Sequence, residues 1–149
     1  MKKYLCFVLS IVLIFSVFVF NESIVGAKVV KKKGIYTTAT VKNTKNSIYS
    51  HPVIKKIVVK KNKITTYGGY WYRKNNKVTA KRIKKAKRTF KIASNCKYVY
   101  GAPPAKVQKV SKSFLISHIK RNIKNNVYAE DLELTVRNGK VVRMRVLQG

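Results

Sequence analysis

The chain has 149 residues, and its 34 Lys and Arg stand against only 4 Asp and Glu, which gives a formal net charge of +30. A hydrophobic fraction of 46% argues against a disordered polycation and allows one domain with a real core. So few acids argue against a catalytic pair of carboxylates, and they leave most of the positive charge for an anionic partner.

The first 27 residues have the pattern of an export signal. Lys2 and Lys3 precede an apolar run over residues 4–20, and Gly26 and Ala27 are small residues of the kind that a signal peptidase accepts. We expect cleavage after Ala27 and a secreted or cell-surface protein. The alternative is an uncleaved N-terminal anchor, because the apolar run just reaches the length that spans a bilayer.

Beyond the signal, the sequence divides into two parts. Residues 28–52 are predicted to form a basic, partly ordered arm, and residues 53–149 a single β-rich domain. Cys96 is the only cysteine after the signal and has no partner for an internal disulfide. Core packing must therefore hold the domain together.

Short runs rich in Val, Ile, Thr and Tyr, separated by Asn-containing turns, predict strands. The dipeptides at residues 61–62 and 75–76 are suited to two-residue hairpin loops, because Asn tolerates positive φ. Gly68 and Gly69 lie within one strand run and indicate a bulge or bend. The predicted strands cover residues 36–42, 53–60, 63–73, 77–84, 88–92 and 97–100, and the segment Gly-Ala-Pro-Pro at residues 101–104 ends the sheet.

One amphipathic helix is predicted over residues 113–125, with Ser111 or Ser113 as its N-cap. Its apolar side chains recur at helical spacing and form a narrow stripe, which favours packing on a sheet over burial on all sides. This stripe consists of Leu115, Ile116, Ile119 and Ile123.

The end of the chain predicts a β-hairpin. A two-residue loop at Asn138-Gly139 would mix apolar and cationic side chains on one face, so we favour a three-residue loop over residues 137–139 with Gly139 as a left-handed bulge residue. This register gives one face a consistent apolar character and places acids opposite bases on the other. It predicts the pairs Leu134–Val142, Leu132–Met144, Glu133–Arg143 and Asp131–Arg145.

These elements predict an α+β fold. It is a mainly antiparallel β meander, forming a twisted sheet or a small, partly open barrel, with one amphipathic helix and a C-terminal β-hairpin.

Residues for catalysis are few. Glu130 has no evident second group, and no His or Cys spacing matches a zinc site. Cys96 with His118 is the only conceivable nucleophilic pair, but a small buried cysteine and a histidine on the helix surface explain these residues more simply. We therefore predict a protein that is not an enzyme and that has no cofactor or metal.

The strongest candidate binding surface is an aromatic and basic strand with the turn and strand that follow it. Aromatic rings beside cations are able to stack on bases or sugars. The simpler interpretation is that Trp71 belongs to the core while the tyrosines cover a sheet face. The candidate residues are Tyr67, Tyr70, Tyr72, Arg73, Lys74, Lys77, Lys81 and Arg82.

Export, few catalytic groups and a charge dominated by lysine lead to one functional hypothesis. The protein is a non-catalytic monomer that associates electrostatically with an anionic wall polymer of the cell envelope or with a phospholipid surface. The alternative is an extracellular nucleic-acid-binding protein that uses the aromatic strand as a stacking surface. A cationic toxin and an enzyme rank below both.

Overall fold

The computed structural model describes residues 26–40, 52–74, 77–101, 107–126 and 130–148. The predicted signal up to residue 25, the turn at residues 75–76 and the two prolines at 103 and 104 lie outside this part of the chain. Among the residues described, no helix has both the length and the apolar character needed to cross a lipid bilayer.

The described elements are mostly strands. One strand of 21 residues takes the place of three shorter ones that the sequence predicts between residues 77 and 100. In chain order the elements are β1 (Lys28–Val29), β2 (Gly34–Ala39), β3 (Ile54–Lys60), β4 (Lys63–Arg73), β5 (Lys81–Gly101), β6 (Gln108–Lys109), α1 (Lys112–Asn125), β7 (Glu130–Arg137) and β8 (Lys140–Gln148).

The described strands form one sheet in the order β1-β5-β8-β7-β2-β4-β3, with β6 on β5. Because β4 pairs with both β2 and β5, the sheet curls and partly closes into a barrel of β2, β4, β5, β8 and β7. The predicted β-rich fold with one helix is confirmed. The pairing is mainly antiparallel, as predicted, but the sheet is mixed and not a simple meander, because β5 pairs in parallel with β8 and with β1.

The predicted basic arm contains a strand of the barrel. β2 lies between β4 and β7 and pairs with both. Its Tyr36 is 3% exposed, and the ring meets Tyr70 and Phe90 edge-on at centroid distances of 6.2 and 5.5 Å. The Tyr36 hydroxyl donates a hydrogen bond to the carbonyl of Lys32. The folded domain therefore begins well before residue 53, because this ring fills part of the core.

The helix is confirmed with small changes at its ends. Ser111 is the N-cap, and its hydroxyl accepts a hydrogen bond from the amide of Phe114, while Asn126 ends the helix in a left-handed conformation. The predicted stripe packs inward, with Asn122 buried beside it and Ile123 only half-buried. The helix rests on β3 and β5.

The predicted bulge at Gly68 is confirmed, since the β4–β5 register shifts between Gly68 and Tyr70. A Cβ on Gly68 would come within 2.4 Å of the Val53 carbonyl, so the close approach requires glycine. Arg88 supports the bulge by donating hydrogen bonds to the carbonyls of Gly68 and Lys84 at 2.9 and 2.6 Å. Burial lowers the pKa of this guanidinium.

The hairpin register differs from the prediction. The loop has two residues, Asn138 and Gly139, both at positive φ, and a register shift follows between Thr135 and Val136. The bulge lets Val141 and Met144 both face the core. The core positions of Leu132, Leu134 and Met144 are confirmed, whereas two predicted ion pairs are wrong: Glu133 lies opposite Arg145, and Asp131 lies opposite Leu147.

We expect Tyr36→Ala to lower the free energy of unfolding by about 3–5 kcal/mol, because it removes a large buried ring from the core. Urea denaturation followed by circular dichroism measures this loss. The matched control is Ile35→Ala on the outer wall of the same strand, for which we expect less than half the loss. Equal losses would mean that β2 is not a strand of the barrel.

Candidate functional site

A concave, cationic surface on the outer wall of the barrel is the candidate site, and we call it the basic groove. It has a volume of about 890 Å³. Its cationic side chains are Arg73, Lys97, Lys109, Arg137, Arg143 and Arg145. Its other side chains are the aliphatic Ile35, Val99, Val107 and Val142 and the polar Asn95, Thr135 and Glu133.

Cross-strand pairing brings these residues together. Arg73 pairs with Ile35, Ile35 with Thr135, Thr135 with Arg143, and Arg143 with Lys97, which makes one row across β4, β2, β7, β8 and β5. Neighbouring strands lie about 4.8 Å apart. Arg143 and Lys97 are therefore adjacent, and Arg73 lies about 14 Å away, three strand spacings along the curved wall.

A second row runs beside the first. Glu133 pairs with Arg145, Arg145 with Val99, and Val99 with Lys109. Residues two apart on a strand share a face and lie about 7 Å apart, so Arg143 and Arg145 point to the same side. The groove is thus a grid of side chains from six strands.

The groove carries a strong positive charge. Its six cations face one carboxylate, Glu133, so its net charge is 6 − 1 = +5. That carboxylate is already engaged, because Nη2 of Arg145 donates to its Oε2 at 2.9 Å. The Nε atoms of Arg143 and Arg145 are buried and have no hydrogen-bond partner among the side chains and backbone described. The groove therefore has donors ready for an anionic ligand.

Two of the predicted binding tyrosines are buried in the core. Tyr70 is fully buried, its hydroxyl donates to Oγ1 of Thr66 at 2.7 Å, and burial raises its pKa. Tyr72 is 9% exposed and donates to the carbonyl of Lys33. Alternation along β4 turns both rings inward and leaves Trp71 half-buried on the outside. Tyr70 and Tyr72 are thus unable to stack on a ligand, and the interpretation of Trp71 as a core residue is also wrong.

The other predicted site residues do not gather on one surface. Arg73 alone among them lines the groove. Tyr67 is 44% exposed and has the ammonium group of Lys85 at 5.4 Å from its ring centroid. The remaining four are exposed but are not groove residues: Lys74, Lys77, Lys81 and Arg82. The predicted strand therefore contributes one residue to the candidate site.

Most of the groove was missed by the sequence analysis. Arg143 and Arg145 were interpreted as partners for acids, although only Glu133 forms such a pair with Arg145. The available signal was the alternation Arg143-Met144-Arg145, in which two cations flank a core residue on a strand. Lys97 and Lys109 carried no local signal, because they join the groove through pairing with distant strands.

Glu130 has several partners, contrary to the prediction. Its buried carboxylate lies 2.8 and 3.0 Å from Nε2 of His118, and Nδ2 of Asn122 donates to it at 2.8 Å. The His118 ring packs against Tyr100 at a centroid distance of 4.7 Å and stacks on Phe114 at 6.1 Å. His118 is therefore not a free surface residue, and the cluster anchors α1 to the start of β7.

The surroundings of Cys96 do not favour a nucleophilic thiol. Its thiol is buried, burial raises its pKa, and Sγ donates weakly to the carbonyl of Lys97 at 3.8 Å. A raised pKa makes the nucleophilic thiolate scarce at neutral pH. Within the described ranges, no group of three or more His, Cys, Asp and Glu side chains has the arrangement of a metal site.

Comparisons with known proteins identify no relative. No protein-family model, no curated protein and no solved structure matches the chain. The argument for function therefore rests on the geometry and charge of the groove.

We expect His118→Ala to destabilise the fold by about 3–5 kcal/mol, because it leaves the Glu130 carboxylate buried without one of its two close side-chain partners. In a Glu130→Gln background the same change should cost distinctly less, since the side chain left behind is neutral. Urea denaturation of the four proteins at neutral pH gives the coupling energy. Lys120→Ala, on the exposed face of the same helix, is the control and should change little. Equal losses in both backgrounds would contradict the anchoring role.

Proposed function

We propose that the protein is a non-catalytic binder of an extended anionic polymer, which lies in the basic groove. One observation carries the proposal: among the residues that the structure describes, six cations from five strands converge on one concave wall, and the one carboxylate there is already paired. The export signal predicted from the sequence supports a partner outside the cytoplasm, and an anionic polymer of the cell envelope fits that position.

The shape of the groove favours a chain over a membrane surface. The two rows of side chains run across several strands, so a flexible chain is able to follow them. Lys97, Arg143 and Arg145 lie about 5–7 Å from their neighbours at the centre, and Arg73 and Lys109 lie about 10–14 Å away toward the ends. A flat bilayer would meet the rim of a concave wall before the side chains at its centre. A phospholipid surface is therefore the second candidate, and its binding would use exposed lysines outside the groove.

The composition of the groove favours a polymer without bases. Of the described residues that line it, the apolar ones are aliphatic and none is aromatic. Binding of single-stranded nucleic acid usually depends on aromatic stacking. Burial of Tyr70 and Tyr72 in the core removes the rings on which the nucleic-acid alternative relied. A polyol or sugar phosphate polymer needs only cations and apolar surface, which the groove has.

We also infer that the barrel is of the OB type. Its five strands pair in the ring β2-β4-β5-β8-β7, and α1 lies between the third and the fourth of them in the chain. Five-stranded Greek-key barrels of this type bind oligonucleotides and oligosaccharides. This analogy is compatible with polymer binding. The groove takes only the end of the second strand, Arg73, and part of the third, and it continues over the fourth and fifth strands, so the proposal rests on the groove itself.

The test compares two triple variants that remove the same charge. One changes Arg73, Lys97 and Lys109 in the groove to Gln, and the other changes Lys55, Lys56 and Lys60 on β3 to Gln. All six side chains are exposed, so neither variant disturbs the core. Binding to a fluorescent glycerol phosphate polymer is measured by anisotropy across a salt series.

We expect the groove variant to bind about tenfold more weakly at moderate salt and to lower the slope of log K against log salt by about 2, at roughly 0.7 per lost contact. The β3 variant should bind within about twofold of the unaltered protein, since charges beyond a Debye length are screened. Equal losses in the two variants would overturn the groove. Tighter binding of oligothymidine or of anionic vesicles than of the polymer would favour the other partner classes.

A further inference from the structure

We infer that Arg143 and Arg145 form a phosphodiester subsite at the centre of the basic groove. The inference rests on the proposed function and names the chemical group that the groove recognises. It differs from diffuse attraction, because it assigns binding to two guanidinium groups and not to the total charge.

The first observation is a pair of unused donors. Within the described ranges, the buried side-chain nitrogen and oxygen atoms that lack a hydrogen-bond partner are Nε of Arg143 and Nε of Arg145. Buried donors in folded proteins nearly always have a partner, so each exception calls for an explanation. Both exceptions lie in the same groove, on the same face of one strand, which points to one acceptor group that serves both.

The second observation is the bulge in β8. Val141 faces the core, and without an extra residue the alternation would turn Arg143 and Arg145 toward the core as well. The register shift next to Thr135 reverses the alternation, so that Met144 is buried and the two arginines face the groove. Bulges often re-aim side chains at binding sites. This one turns both half-buried arginine side chains to the groove side.

The planar guanidinium group suits a phosphate ligand. Arginine offers a rigid fork of N–H donors that matches phosphate oxygens, whereas lysine acts as a point charge. Four of the seven arginines in the chain line the groove, although lysine is far more common in the sequence. Arg143 is also next to Lys97 in its row, which adds a cation beside the subsite.

Glu133 limits the charge of the ligand. Its carboxylate is held at 2.9 Å from Nη2 of Arg145, so any anion on that arginine lies near a negative charge. A doubly charged phosphomonoester meets more repulsion there than a singly charged phosphodiester. Glu133 is therefore a positioning residue that orients Arg145 and favours the diester, which is the linkage inside a phosphate polymer.

The direct test uses dimethyl phosphate and the arginine Nε–H signals in ¹⁵N–¹H spectra of the protein. We expect the signals of Arg143 and Arg145 to shift along one common binding curve, while those of Arg82 and Arg121 on the exposed surface stay in place. Signals of all arginines that shift alike, or that do not shift, would overturn the subsite.

Charge-conserving variants separate the subsite from the wider proposal. We expect Arg143→Lys with Arg145→Lys to weaken binding of the glycerol phosphate polymer about tenfold, while the control pair Arg82→Lys with Arg121→Lys changes it less than twofold. Unchanged binding in the first pair would overturn the subsite, and the groove proposal would still stand if its Gln triple variant bound weakly. Unfolding midpoints of all variants show that the fold is intact.

A separate experiment tests the role of Glu133. Glu133→Gln should increase the affinity for methyl phosphate, a dianion at pH 7.5, several-fold more than the affinity for dimethyl phosphate. An equal increase for both ligands would contradict the selection of a diester by this carboxylate.

Discussion

The pairing of β2 between β4 and β7 is the contact on which the rest of the structure depends. It links two hairpins that are far apart in the chain and completes the ring of five strands. It also buries Tyr36 among the rings of Tyr70, Tyr72 and Phe90. On the outer side of the same strand, Ile35 joins Arg73 to the row that continues to Arg143. Without β2 the barrel would open between β4 and β7, and Arg73 would lose its place in the row that leads to Arg143.

A chain with this net charge folds only if its cations stay at the surface, and the structure shows how the exceptions are accommodated. Arg88 is buried, but backbone carbonyls accept its hydrogen bonds, so the guanidinium is solvated by the bulge that it supports. Glu130 is the opposite case, a buried anion whose donors come from the helix. Both exceptions tie one element to another, since a buried charge fixes the position of the groups that satisfy it. Most other cations in the described part of the chain lie at the surface, where they are accessible to a partner.

The features that were predictable from the sequence are those with a local cause. The helix follows from its stripe and from Ser111, and the bulge in β4 from Gly68. The two-residue loop between β3 and β4 lies where the sequence predicts it, although Asn62 does not adopt the positive φ on which that prediction relied. The role of β2 had no such cause, because its burial depends on strands that lie up to about a hundred residues later in the sequence. The predicted register of the last hairpin is wrong because two different arrangements place the same apolar side chains on one face. One is the predicted three-residue loop, and the other is the observed two-residue loop with a separate bulge at Val142. The basic groove was not predicted from the sequence for the same two reasons, because its rows of side chains depend on the position of β2 and on the bulge at Val142.

The different positions of the lysines and the arginines connect the fold with the proposed function. Lysines cover the exposed strands, where hydrated point charges attract polyanions over distance and keep the protein soluble. Such attraction weakens with salt and distinguishes poorly between polymers. Arg143 and Arg145 are half-buried in the concave wall, so each of their hydrogen bonds contributes more than a charge in open solvent. Diffuse charge would therefore bring the polymer to the protein, and the groove would hold it; selectivity would arise where the guanidinium groups are fixed by the barrel and not where the charge is greatest.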